Sequence, residues 1–175
     1  LDDCSAIYTS GANNNSIIEN NTVLNILGGL SGKPDIHPSQ SQGIYLDELS
    51  SGVAVKGNTV VNASNGIQLH NAANNRIENN TLYNNRRHHV WLQEGSNRID
   101  AEGDIFGNVV QGNRFFSTWI TDWSTSAVGQ WTTLPKDNTD RFAIYDNNLY
   151  FTLLSPVMSF EHWPAAYSTY SFHQW

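Results

Sequence analysis

The chain has 175 residues, a hydrophobic fraction of 39%, a charged fraction of 14% and a formal net charge of -7, with a pI near 5.1. That length supports one domain with a proper core, and the acidic balance speaks against nucleic acid as a partner, since Arg86-Arg87 is the one basic cluster. No apolar run approaches the roughly 18 residues that a membrane-spanning helix needs, and the single cysteine, Cys4, makes no internal disulfide.

Leu1 to Asn25 already contain one full unit, Ala6-Ile7-Tyr8-Thr9-Ser10 followed by Asn20-Asn21-Thr22-Val23-Leu24-Asn25. The first phrase returns as Gly43-Ile44-Tyr45-Leu46-Asp47, Gly66-Ile67-Gln68-Leu69-His70 and His89-Val90-Trp91-Leu92-Gln93, with starts 23 residues apart. The second returns as Gly57-Asn58-Thr59-Val60-Val61-Asn62 and Asn79-Asn80-Thr81-Leu82-Tyr83-Asn84, 22 residues apart. A fixed period of this length marks a solenoid. Apolar and polar residues alternate in steps of two, which is strand periodicity, and the Gly and Asn density argues against helix. Two strands per period are expected.

If each period forms one coil, equivalent residues lie about 4.8 Å apart along the stack. Ile44 and Leu46, Ile67 and Leu69, and Val90 and Leu92 then build aliphatic ladders inside. Outside, two columns are expected: Tyr45, Gln68, Trp91 and Asp47, His70, Gln93. Residues 26–42, rich in Gly and Pro and carrying Asp35 and His37, break the period, as do 94–106 and the Trp-rich stretch 118–140. Long loops on stacked scaffolds line binding faces. The phrase reappears as Gly112-Asn113-Arg114-Phe115-Phe116 and last as Ala143-Ile144-Tyr145-Asp146-Asn147-Asn148-Leu149-Tyr150-Phe151. Coils thus occupy 1–151, and the aromatic segment 152–175 is expected to serve as part of a cap. A solenoid normally carries a cap at its exposed end; because the first unit begins at once, further coils are expected upstream or on another chain.

Asn21, Asn58, Asn80, Asn113 and Asn148 hold one equivalent position. A ladder of buried amides at a turn, each bonded to its neighbours, is the physical reading. The sequons at Asn14, Asn20, Asn62 and Asn79 fall out of the same turns.

Asp2-Asp3-Cys4-Ser5-Ala6-Ile7-Tyr8, Asn20-Asn21-Thr22-Val23, Gly43-Ile44-Tyr45-Leu46-Asp47-Glu48 with Ser50-Ser51-Gly52, and Gly66-Ile67-Gln68-Leu69-His70 resemble the right-handed parallel β-helix proteins of the pectin-lyase-like superfamily. The likeness is greatest to bacterial β-helical glycoside hydrolases and polysaccharide lyases. It implies an all-β fold, a single right-handed parallel β-helix of about five coils, and a secreted or periplasmic protein that acts on a polysaccharide. In those hydrolases, acidic residues of the phrase before Ala-Ile-Tyr and of Gly-Ile-Tyr-Leu-Asp are catalytic positions, which here are Asp3 (or Asp2) and Asp47; Glu48, Asp35 and Glu94 are substitutes.

Read from the residues themselves, Asp47 and His70 are the sharpest pair, since a carboxylate beside an imidazole on the next coil orients the ring for acid or base work. Tyr45, Tyr8, Gln68, Trp91, His37, Arg86 and His89 are candidate contacts for sugar, aromatic rings being good platforms for it. Adjacent histidines on a strand face opposite ways, so only one of His88 and His89 can join the column. Hydrolysis needs two carboxyl groups. The rival chemistry is elimination from a uronate, with His70, Arg86 or Arg87 as base or neutraliser and a Ca²⁺ held between Asp3 and Asp47. A hydrolase needs no metal or cofactor. The non-enzymatic alternative is a β-helix that grips a glycan without cleaving it.

Overall fold

Short alternating segments separated by Asn and Gly have too few residues to pay for a helix nucleus and instead pair edge to edge. The computed structural model describes residues 4–11, 14–26, 28, 41–95, 105–118, 126–132, 139–152, 158–162 and 166–170. The first coil holds β1 (Cys4–Thr9), β2 (Ile17–Glu19) and β3 (Thr22–Leu24), the second β4 (Ser41–Leu46), β5 (Ala54–Lys56) and β6 (Thr59–Val61). The third holds β7 (Asn65–His70), β8 (Arg76–Glu78) and β9 (Thr81–Tyr83). The fourth comprises β10 (His88–Glu94), β11 (Asn108–Gln111) and β12 (Arg114–Ser117), and the fifth β13 (Ser126–Thr132), β14 (Ala143–Asp146) and β15 (Leu149–Thr152). After them come β16 (Met158–His162) and β17 (Ala166–Tyr170). Among the described residues no helix is long and apolar enough to cross a membrane.

Like strands of successive coils pair in parallel to form three walls. The first sheet runs β1-β4-β7-β10-β13-β16-β17, the second β14-β11-β8-β5-β2 and the third β15-β12-β9-β6-β3. Among the described strands only the last pair, β16 with β17, is antiparallel. The architecture is therefore the expected parallel β-helix of five coils, but with three strands per coil rather than two. The strand absent from the sequence reading is the second one, which ends directly before the bend at Asn20, Gly57 and Asn79 and so reads as the lead-in to the third strand. A further difference lies in 118–140, read as an excursion, where residues 126–132 form β13 of the first sheet.

The register stacks Ile44 on Ile67 on Val90 on Val128, and Leu46 on Leu69 on Leu92. All seven are fully buried, and they meet Val55, Ile77, Val60, Leu82 and Phe115 from the other walls in one continuous core. In the fifth coil the column changes character: Gln130 follows Leu92 and its Nε2 donates to the Tyr145 hydroxyl at 2.6 Å.

The bends between walls require backbone in the left-handed region, which among side-chain-bearing residues Asn tolerates best. Asn20, Gly57, Asn79, Gly112 and Asn147 occupy one such bend in successive coils, all with φ between 51° and 65°. One residue further on stands the amide ladder. Asn21 Nδ2 donates to Asn58 Oδ1, Asn58 Nδ2 to Asn80 Oδ1, Asn80 Nδ2 to Asn113 Oδ1 and Asn113 Nδ2 to Asn148 Oδ1, each at 3.0 Å. Each Oδ1 also accepts the backbone N–H of the preceding rung, as Asn80 Oδ1 does from Asn58 at 2.9 Å. A shorter second ladder, which the sequence did not reveal, joins Asn75 Nδ2 to Asn108 Oδ1 at 3.2 Å.

Candidate functional site

Asp47 immediately follows β4 on the wall formed by the first sheet. Its N–H donates to the Thr9 carbonyl at 2.8 Å and its carbonyl accepts from Ser50 N–H at 3.0 Å, so a tight turn fixes its direction. The side chain meets two partners from flanking coils. The Tyr8 hydroxyl donates to Oδ2 at 2.6 Å, and His70 Nδ1 lies 2.9 Å from Oδ1. Burial by itself would raise the Asp47 carboxyl, but the hydrogen bonds from His70 and Tyr8 and from the Glu48 backbone outweigh it and lower the pKa to about 2. Asp47 is thus an anion over the whole physiological range. An anion only accepts, so the His70 proton sits on Nδ1, and Nε2 faces the Asn71 amide at 3.4 Å.

The Asp47 and His70 side chains are 17% and 19% exposed, and Tyr8 beside them is 53% exposed. An anionic oxygen, an oriented imidazole and an open phenol ring therefore share one patch. Tyr8 also packs edge-on against Tyr45, with ring centroids 5.5 Å apart.

Tyr45, Gln68 and Trp91 do stand in register on the outer side, yet an open sugar platform is not what they form. They are 2%, 2% and 5% exposed. The Tyr45 hydroxyl reaches toward His70 Nδ1 at 3.4 Å, Gln68 Nε2 donates to Gln93 Oε1 at 3.0 Å, and Trp91 Nε1 donates to that same oxygen at 3.2 Å. Trp91 stacks flat on His88, with centroids 4.3 Å apart and planes 7° from parallel, and the Arg87 guanidinium carbon lies 5.9 Å from its ring. The column is packed against its own neighbours, which leaves Tyr8 as the exposed ring of the group.

His89 also departs from expectation, for it lies inside the coil. Its Nδ1 sits 3.1 Å from Asn85 Nδ2, its Nε2 2.8 Å from Ser117 Oγ, and its ring stacks on Phe115. Burial holds it neutral, with a pKa lowered to about 3 that a hydrogen bond donated to the Phe116 backbone carbonyl only partly offsets. The parallel pairing skips His89, running from His88 opposite Asn65 to Val90 opposite Ile67, and two successive residues, His89 and Val90, are fully buried. In the second and third coils glycines, Gly43 and Gly66, fill this position, and in the first and fifth Ala6 and Ala127 do; a Cβ on Gly66 would meet the His89 carbonyl oxygen at 2.5 Å and Asn85 Nδ2 at 2.7 Å. His88, and not His89, therefore takes the outer side.

Glu94 is unsuited to acid or base work. It is 1% exposed, with Oε1 accepting from Arg141 Nη2 and Oε2 from Thr132 Oγ1, both at 2.9 Å, so it ties the fourth coil to the fifth. Glu48 is half-buried, and its carbonyl accepts from Gly11 N–H at 2.8 Å. Arg86 lies at the turn before β10, with its N–H donating to the Ala63 carbonyl at 2.9 Å. Asp2, Asp3, Asp35 and His37 lie outside the described residues. Among the described residues no three His, Cys, Asp or Glu side chains converge as a metal site would need.

Three parallel walls and amide rungs at the bends define a β-helix of the solenoid class. Residues 2–131 match the family model for the right-handed β-helix region, and the chain belongs to that family. No curated protein and no solved structure matches it.

Proposed function

We propose that the chain is a carbohydrate-active protein, a glycoside hydrolase whose base is Asp47. Support comes from one observation above all, the pair of short hydrogen bonds from Tyr8 and His70 that keep the Asp47 carboxylate ionised and aimed. In the proposed step a water attacks the anomeric carbon, its proton passes to Asp47, and the glycosidic C–O bond breaks as a second acid protonates the leaving oxygen. Asp3 is proposed as that acid. Tyr8 and His70 are positioning residues, and the exposed Tyr8 ring stacks on the sugar. The net charge of -7 favours a neutral glycan over a polyuronate. A protein with this task works outside the cytoplasm, where polysaccharide is met.

The test is a panel of neutral and uronate-containing polysaccharides assayed for reducing-end release, with and without chelator. Wild type is expected to release reducing ends from a neutral member, and Asp47→Asn to lower kcat by about 10² to 10⁴ with KM little changed. Unaltered turnover in Asp47→Asn would remove Asp47 from the chemistry. Ultraviolet absorbance from an unsaturated product would identify elimination instead, and binding without turnover would leave a glycan-gripping scaffold.

A further inference from the structure

The third sheet carries on its outer side a column that the Asp47 site does not use. Leu24 pairs with Val61, Val61 with Tyr83, Tyr83 with Phe116 and Phe116 with Phe151, one residue from each coil. Leu24, Tyr83 and Phe151 are 52%, 40% and 46% exposed, with Val61 and Phe116 half-buried between them. Phe116 and Phe151 have their ring centroids 5.9 Å apart. Burying these rings inside was not an option, because the alternate positions Val23, Val60, Leu82 and Phe115 already fill the core. Solvent-facing apolar columns of this length are uncommon on a soluble surface and mark binding sites.

We propose that this face is a second, non-catalytic binding surface for an uncharged polysaccharide chain running along the stack. Three features select that ligand. First, an apolar side chain recurs once per coil, Leu24 and Val61 in the first two and the rings of Tyr83, Phe116 and Phe151 in the last three, so a polymer of repeating sugar rings finds an apolar platform at each step. Second, hydrogen-bonding side chains border the column on both sides: Thr22, Thr59 and Thr81 on one, and on the other Asn25, Asn62 and Asn84, with Asn62 Nδ2 donating to Asn25 Oδ1 at 2.8 Å. Third, charge is sparse where it is abundant next door. The second sheet presents Glu19, Lys56, Arg76, Glu78 and Asp146, with Lys56 Nζ bonded to Glu19 at 3.1 Å and Arg76 bonded to Glu78. The outward positions of the third sheet hold no carboxylate and one cation, Arg114. In a chain of net charge -7, such a face suits a neutral ligand, since a cationic one would find no carboxylate there and an anionic one the single Arg114. The choice of a glycan rests on the carbohydrate-active reading, whereas the site itself is independent of Asp47.

Native gels containing hydroxyethylcellulose, galactomannan or arabinoxylan, with polygalacturonate as the charged comparison, test the proposal by the retardation of the migrating protein. At least one neutral polymer should retard the wild type, and Tyr83→Ala and Phe151→Ala should each weaken that retardation about threefold to tenfold. Both side chains point to solvent, and circular dichroism confirms that the variants are folded. Asp47→Asn should be retarded like the wild type, and the two aromatic variants should match the wild type in any turnover of short soluble oligosaccharides. Retardation without turnover in the wild type would sink the hydrolase and leave this surface standing. No retardation by any neutral polymer, equal retardation of the aromatic variants, stronger retardation by polygalacturonate, or a wild-type dimer that the variants turn into monomer in sedimentation would overturn it.

Discussion

Asn80 is the middle rung of the amide ladder, and replacing it by alanine tests whether that ladder holds the coils together. The side chain is fully buried and makes four hydrogen bonds. Oδ1 accepts from Asn58 N–H at 2.9 Å and from Asn58 Nδ2 at 3.0 Å, and Nδ2 donates to the Val55 carbonyl at 2.9 Å and to Asn113 Oδ1 at 3.0 Å. At about 1 kcal/mol net for each bond, Asn80→Ala should cost about 4 kcal/mol. Asn58 Nδ2 keeps the Ile18 and Lys56 carbonyls as acceptors, which trims the loss to roughly 3 kcal/mol. Against a total stability of about 5 to 15 kcal/mol this is a large fraction. With a urea m-value of about 2 kcal/mol/M, the unfolding midpoint should fall by about 1.5 M. The neighbouring Asn79 supplies the contrast: its φ is 54°, and glycine occupies the same bend in two other coils, so Asn79→Gly should leave the midpoint almost unchanged. If Asn80→Ala moved the midpoint by less than about 0.3 M, buried amide rungs would contribute no more than surface residues and the reasoning would fail.

Other expectations follow from the same geometry. Because Asp47 has its pKa depressed to about 2 from an ordinary 3.8, the hydrogen bonds to its carboxylate stabilise the fold fully above about pH 5, by roughly 2 kcal/mol, and this is lost as pH falls toward 2. Acid unfolding of Asp47→Asn should accordingly lack that component, and an unchanged acid profile would refute it. His89 is held neutral with a pKa of about 3 in the fold, so the stability it confers is present above its unfolded pKa of about 6.5 and falls as the pH drops from there toward 3. His89→Gln should flatten the pH dependence of the melting temperature between pH 7 and 4, whereas equal slopes would count against a buried neutral imidazole. A methyl group on Gly129 would meet Trp91 Cζ3 at 2.6 Å and His88 Nδ1 at 2.7 Å, so Gly129→Ala should destabilise by about 1 to 3 kcal/mol. It should also shift the tryptophan emission, and unchanged emission and melting would refute the packing described.

Repetition made the fold legible, and lack of repetition hid the rest. The phrase around Ile44, Ile67 and Val90 recurs at a constant interval, and so do the ladder asparagines, so coil, core face and rungs could be placed from the sequence. The contact between Asp47 and His70 followed from the same interval and is a 2.9 Å pair. By contrast β13 pairs with β10 but carries Gly129 where a side chain is expected and Gln130 where Leu92 sets the pattern. The glycine is there because Trp91 fills the space a side chain would need, a reason visible only in three dimensions. His89 was misjudged because strict alternation ignores the skipped pairing at the start of the strand, although Gly43 and Gly66 at the same position were the available signal. Tyr45, Gln68 and Trp91 were correctly set on the outer side, but alternation states direction and not exposure.

The bend at Asn20, Gly57, Asn79, Gly112 and Asn147 alternates between a residue with a side chain and one without. A methyl group at Gly57 would touch Asn20 Oδ1 at 2.7 Å, and one at Gly112 would touch Asn79 Oδ1 at 2.5 Å, so each asparagine leans into room that a glycine vacates. Lengthening such a protein by a single turn would set amide against amide or hollow against hollow at this edge. Growth by pairs of turns preserves this alternation, whereas a single added turn is accommodated where asparagine stacks on asparagine, as Asn62 does on Asn25 at the neighbouring bend.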